Sequence, residues 1–211
     1  MKTIFLIPGL GADHRVFDFL NLSGYQRQVV SWIEPFNNES IEQYAGRLSN
    51  QISSSNPVII GVSFGGMMAV EIGKLLQAEK IILISSARTM HEIPAYTRFI
   101  GFFGFHKLLP KAWLKSPGRL LFYLFGVKNH HEKKLLSDIV RDTDSKFLIW
   151  AIDKIVLWKN TIIPHNTVLI SGSHDRLFPG ALGDIIINGG GHFMIVNRAN
   201  EVSEQLKRII T

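Results

Sequence analysis

The chain has 211 residues, 46% hydrophobic and 19% charged, which suits one compact domain with a sizeable core and leaves no segment polar enough to stay disordered. It contains no cysteine, which excludes disulfides, a thiol nucleophile and thiolate metal sites. The net charge of +6 is unevenly spread: residues 87–160 carry 13 Lys/Arg against 6 Asp/Glu, a balance of +7, while the remainder stands at −1.

That partition marks residues 87–160 as a separate structural unit. No apolar run approaches the roughly 20 residues of a membrane span. The opening Thr3-Ile4-Phe5-Leu6-Ile7 is short and is broken by Pro8-Gly9, so it reads as a buried first strand rather than a signal peptide. The expectation is a soluble cytoplasmic protein.

Along the chain, short apolar strands alternate with helices. Ile4–Ile7 is a strand ended by Pro8-Gly9-Leu10-Gly11. Asp13 can cap a short helix bearing Val16, Phe17 and Leu20. Gln28–Ile33 is a second strand. Ser40 caps a helix with Ile41, Tyr44, Ala45, Leu48 and Ile52 at helical spacing. Pro57–Val62 is a third strand, followed by a helix over Met67–Gln77, and Ile81–Ser85 is a fourth. The rhythm stops until Thr167–Ser171, a fifth strand, and Asp184–Ile187, a sixth. A last helix runs from Ala199 to Ile210, with Val202, Leu206 and Ile209 on one face. The interrupting segment is helical in pattern, broken at Pro94, Pro110 and Pro117-Gly118, and no internal repeat is present. Such alternation predicts a mostly parallel sheet covered on both faces. With strand one between strands two and three, the order is 2-1-3-4-5-6, and its switch point, where open sheets bind ligands, lies between strands one and three.

The stretch Gly61-Val62-Ser63-Phe64-Gly65-Gly66 joins strand three to its helix. A serine with glycines two residues away on each side, between a strand and a helix, is the layout of a nucleophile elbow. The glycines allow close approach, and the serine is held exposed and strained, at a cost of roughly 1–3 kcal/mol. Serine needs a base, usually a histidine oriented by a carboxylate. His192, in Gly189-Gly190-Gly191-His192-Phe193, follows the sixth strand directly. Asp175, in Gly172-Ser173-His174-Asp175-Arg176, follows the fifth. His174 should point away from that site. The chain order Ser63, Asp175, His192 is that of the α/β-hydrolase scaffold. An acyl reaction also needs N–H donors for the oxyanion, and Leu10 and Phe64 N–H are the candidates.

Together the PGLG loop, GVSFGG, ISGSHDRLFP and GGGHF resemble the α/β-hydrolase superfamily over nearly the full chain. The resemblance implies a reduced six-stranded sheet lacking the family's first two strands, with core 1–86 and 161–211 and a helical cap at 87–160. The family often has His-Gly where this chain has Pro8-Gly9, which changes the shape of the oxyanion loop. The implied activity is a serine hydrolase cleaving a carboxylic ester or thioester, with no cofactor or metal. A lyase using the same triad, or a non-catalytic receptor, are the alternatives.

Other readings fail on single residues. Gly9-Leu10-Gly11, with Glu34 as ribose acceptor, lacks the third glycine of a dinucleotide fingerprint, because His14 stands there. No lysine follows Gly65-Gly66, so a P-loop is excluded. His130-His131-Glu132 has Leu135 where a zinc-protease helix needs its second histidine. In the basic segment, cations alternate with bulky residues such as Phe99, Phe102, Phe103, Trp113, Phe122 and Phe125. This fits a lid with an apolar inner face rather than a nucleic-acid site. A basic outer face with Lys107, Lys111 and Lys115 points to an acidic carrier protein, a coenzyme A thioester or an anionic surface.

Overall fold

The computed structural model describes residues 1–102, 117–179 and 183–210. Six parallel strands, β1 (Thr3–Ile7), β2 (Gln26–Val29), β3 (Val58–Val62), β4 (Lys80–Ile84), β5 (Thr167–Gly172) and β6 (Ile185–Ile187), form one sheet. Its order is β2-β1-β3-β4-β5-β6, as expected. The central strands are apolar on both faces, as a parallel sheet covered by helices requires; all five residues of β3 are buried.

Two core clusters follow from the alternation. Phe5, Ile7, Ile59, Ile81, Leu83 and Leu169 pack on one face against α1 (Ile41–Leu48), α2 (Phe64–Gly73) and α6 (Ser145–Val156). Ile4, Leu6, Ile60, Ile82, Ile84 and Ile170 pack on the other. That face is covered by a 3-10 turn (His14–Phe17), α5 (His130–Asp142), α7 (Met194–Asn197) and α8 (Ala199–Ile210). Asp13 caps the 3-10 turn by accepting from Arg15 N–H. Ser40 and Gln43 form a reciprocal capping box at the start of α1, a cap typically worth about 1 kcal/mol.

Several boundaries shift for physical reasons. β2 starts two residues earlier and ends four residues earlier than the sequence pattern gives. Val30 N–H still reaches Leu6 O at 2.9 Å, but the backbone of Ile33 is taken by the Tyr44 hydroxyl, which accepts from its N–H and donates to its carbonyl. Burial pushes the Tyr44 phenol up to about 12. Ile52 is buried but lies beyond α1, after a 3-10 turn over Ser49–Gln51. The helix expected from Met67 begins at Phe64, because Ser63 reverses the chain in a single residue, and it ends at Gly73.

Between β4 and β5 the described residues are helical: α3 (Ala95–Phe102), α4 (Arg119–Phe125), α5 and α6. Phe103, Trp113, Lys107, Lys111 and Lys115 lie outside the described residues. His130 and His131 are exposed at the start of α5, as read from sequence, while Glu132 is buried and accepts from Lys128 N–H. Among the described residues, no helix is long and apolar enough to cross a membrane.

Candidate active site

β3 delivers Ser63 to the carboxyl edge of the sheet at φ 52° and ψ −119°. A β-carbon at Gly61 would overlap the backbone of Gly65, and one at Gly65 would overlap the Ile7 and Pro8 carbonyls. Strand, elbow and first loop therefore touch through backbone alone. Ser63 N–H donates to Ile84 O at 2.9 Å, and its carbonyl accepts from Gly66 N–H at 2.9 Å and from the buried Ser86 hydroxyl at 2.6 Å. These three bonds hold the strained residue and leave its hydroxyl free for another partner.

That partner is His192. Ser63 Oγ lies 2.9 Å from His192 Nε2, and His192 Nδ1 lies 3.0 and 3.2 Å from the two Asp175 carboxylate oxygens. Asp175 Oδ1 also accepts from the N–H groups of Leu177 and Phe178, at 2.9 and 3.0 Å. Both Asp175 and His192 are buried, at 5% and 4% exposure. Burial by itself would raise the Asp175 carboxyl. The His192 charge and hydrogen bond, with the two backbone donors, outweigh it and hold the carboxyl below the usual carboxylate value.

The loops carrying these residues are bound to each other. Ser173 N–H donates to Ile187 O and His174 N–H to Gly190 O, joining the acid loop to the histidine loop. Gly190 packs against the Gly172 backbone, where a β-carbon at Gly172 would overlap the Gly190 carbonyl. The His192 ring sits edge-on to Phe125 at 5.0 Å and beside Phe178 at 5.7 Å. Phe193 N–H donates to Phe125 O, so the end of α4 is fastened to the histidine loop. His174 is exposed and stands apart from the site, as expected.

The first loop closes over the elbow. Ala12 N–H bonds Gly9 O, Gly11 adopts φ 70°, and a β-carbon at Gly9 would stand 3.4 Å from Ser63 Cβ. Leu10 lines a cavity together with Ser63 and His192. Phe64 opens α2, so its N–H is among the donors that a helix start leaves without an intrahelical acceptor. The cavity, about 440 Å³, is otherwise walled mostly by apolar side chains, among them Leu120 and Leu124 of α4, Val140 of α5 and Leu148 of α6, with Thr97 and Thr143 also at its wall. A larger one of about 570 Å³ opens beyond β1 and β2 but touches neither Ser63 nor His192, so size alone does not locate the chemistry. Among the described residues no cluster of three or more potential metal ligands occurs.

Ser63, Asp175, His192, Leu10 and Phe64 are thus brought to one place. Sequence reading placed Phe125 on the lid's apolar face but missed Ser86, Phe178 and Thr143. Ser86 alone had a signal, its place two residues past the end of the strand beside β3.

No family model and no curated protein matches this chain. Solved structures do. A lipase-esterase related protein from Clostridium acetobutylicum superposes with a TM-score of 0.71 at 18% identity, over 99% of this chain and 94% of that one. A thermophilic esterase from Thermogutta terrifontis gives 0.70 at 13% identity, over 100% and 91%. A bromoperoxidase from Bacillus anthracis gives 0.67 at 18% identity, over 99% and 91%. At such identities the likeness concerns the fold.

Proposed function

Because this chain has the α/β-hydrolase fold, we propose that it is a serine hydrolase acting on a carboxylic ester or thioester. The observation that carries this reading is the unbroken chain of hydrogen bonds from Ser63 Oγ through His192 to Asp175, on a strained serine between strand and helix. Ser63 attacks the carbonyl carbon as His192 Nε2 takes its proton. Asp175 fixes the His192 tautomer and stabilises the imidazolium. The N–H groups of Leu10 and Phe64 hold the oxyanion. His192 then protonates the leaving group, and water attacks the acyl-enzyme with His192 again as base.

In this reading residues 87–160 form the cap over a core of 1–86 and 161–211. Side chains of α4, α5 and α6 wall the cavity above Ser63, so these helices exclude water from it. The +7 balance of the segment favours an acidic carrier, coenzyme A thioester or anionic surface at its outer face. A lysine in the cavity would hint at a lyase, and none lines it among the described residues; labelling of Ser63 by a fluorophosphonate probe bears on the receptor alternative. A panel of p-nitrophenyl esters and acyl thioesters, run on the protein and on Ser63→Ala, tests the assignment. Loss of at least 10³-fold in kcat is expected for the variant. Full retention of activity would sink it.

A further inference from the structure

The cavity above Ser63 has a second, much smaller companion. A space of about 60 Å³ also touches Ser63, His192 and Leu10, but runs the other way, into the core. Its walls include Ala12, Val16, Leu136, Ile139, Phe193 and Ile195, all in the buried cluster on that face of the sheet. Leu136 and Ile139 come from α5, and Ile195 from α7. Close-packed interiors leave few voids larger than a water molecule, and such walls yield little. One that opens onto both reacting side chains is placed to receive part of a substrate.

We propose that the substrate carries two uncharged apolar arms of very unequal size on either side of the reacting carbonyl: a short one in the 60 Å³ lobe and a long or bulky one in the 440 Å³ lobe. At roughly 30 Å³ for a water-sized group, the small lobe holds about two such groups and the large lobe about fifteen. Neither lobe is lined by Lys, Arg, Asp or Glu among the described residues, so both arms are neutral where they are held. The substrate class is therefore an ester or thioester whose acyl or leaving group is limited to a few carbons, the opposite group being large. The large lobe is walled mainly by helices between β4 and β5, the small one by the first loop, α5 and the histidine loop leading into α7.

The inference rests on the Ser63 hydrolase reading, and the test keeps the two apart. Two ester series are compared on the whole protein, one varying the acyl chain against a fixed alcohol and one the reverse. A fluorophosphonate probe with Ser63→Ala as control reports the hydrolase reading independently. One series should lose kcat/KM by roughly 10-fold or more for the first methylene that overfills the small lobe, while the other stays nearly flat to about ten carbons. Leu136→Ala should move the break to longer chains, and Ala12→Val should move it to shorter ones. Should Leu136→Ala fail to fold, Ala12→Val and the two wild-type series decide. A labelled, active enzyme whose two series tolerate lengthening equally, or whose break does not move in the folded variants, overturns the two-lobe inference alone. A protein that neither labels at Ser63 nor hydrolyses any ester overturns the hydrolase reading beneath it.

Discussion

Ser63 occupies a region of backbone space that a serine adopts only at a cost of roughly 1–3 kcal/mol, so its surroundings must hold it there. Ser86 contributes through two contacts. Its hydroxyl donates to the Ser63 carbonyl, and it fills the space that a side chain at Gly66 would need. Gly66→Ala should therefore destabilise the fold by about 1–3 kcal/mol through overpacking, and Ser86→Gly should restore part of that in the double variant. Urea midpoints of the four proteins measure the coupling; strict additivity would show that the two residues do not compete for space. Asp175 gives a second residue-level expectation. Its carboxyl is held below the ordinary value near 4, so the stability it contributes is fully present above about pH 4 and is lost as pH falls through the native value. Asp175→Asn should lose less stability than wild type as pH drops from about 5 to about 3, and should lower kcat roughly 10⁴-fold at neutral pH. Parallel acid limbs in urea titrations would contradict the first expectation. The hydrogen-bonded set Ser63, His192 and Asp175 was legible in the sequence because each member follows an apolar run and lies near glycines. Ser86 was marked only by its place just past β4; its contact with Ser63 spans 23 residues, which no spacing rule encodes.

At the scale of elements, the first loop is held from outside the sheet by the end of α5. Thr143, buried just past α5, places its hydroxyl 3.0 Å from Gly11 O and 2.8 Å from Ile139 O. A β-carbon at Gly11 would overlap that hydroxyl, and φ 70° there also favours glycine. Beside it, Arg15 bridges Asp13 of the loop to Asp142 of α5. If Leu10 N–H serves the oxyanion, Thr143 is a positioning residue for it. Thr143→Val keeps the volume and loses the hydrogen bond. It should lower kcat by about 10-fold with KM little changed, a fraction of the 10²–10³ that removing an oxyanion donor costs. Thr143→Ser should restore most of the loss; a change in KM alone, or no rescue by serine, would count against positioning. Among the described residues, the sequence pattern located five of the six strands to within a residue at each end and gave the sheet order, since buried parallel strands read as apolar runs. It misplaced β2 because Tyr44, a residue of α1, takes the backbone bonds of Ile33. The grip of α5 on the first loop spans 132 residues and left no local trace in the pattern.

For the whole molecule, the segment between β4 and β5 is joined to the core near both of its ends by one side chain. Asn160 Nδ2 donates to Arg88 O and Ile162 O, its Oδ1 accepts from Lys74 just past α2, and its carbonyl accepts from Met90 N–H. Lys74 in turn lies beside buried Glu71, whose Oε1 accepts from the Trp158 indole N–H at 2.8 Å. The helix that positions Ser63 is thus wired to the base of the proposed cap. Neither lobe at Ser63 is lined by Lys, Arg, Asp or Glu among the described residues, so in the proposed reading the positive balance of residues 87–160 would act on whatever part of a substrate remains outside. A positive surface raises encounter rates with anions, and salt shortens its reach from roughly 10 Å at 0.1 M to 3 Å at 1 M. For a neutral short ester, kcat/KM should therefore be nearly independent of ionic strength. For a coenzyme A or carrier-bound thioester with the same acyl group, it should fall severalfold over that range, through KM rather than kcat. Stopped-flow measurement of acylation at several salt concentrations separates the two. Equal salt dependence for both substrates would remove the acidic carrier from the proposal while leaving the Ser63 chemistry untouched.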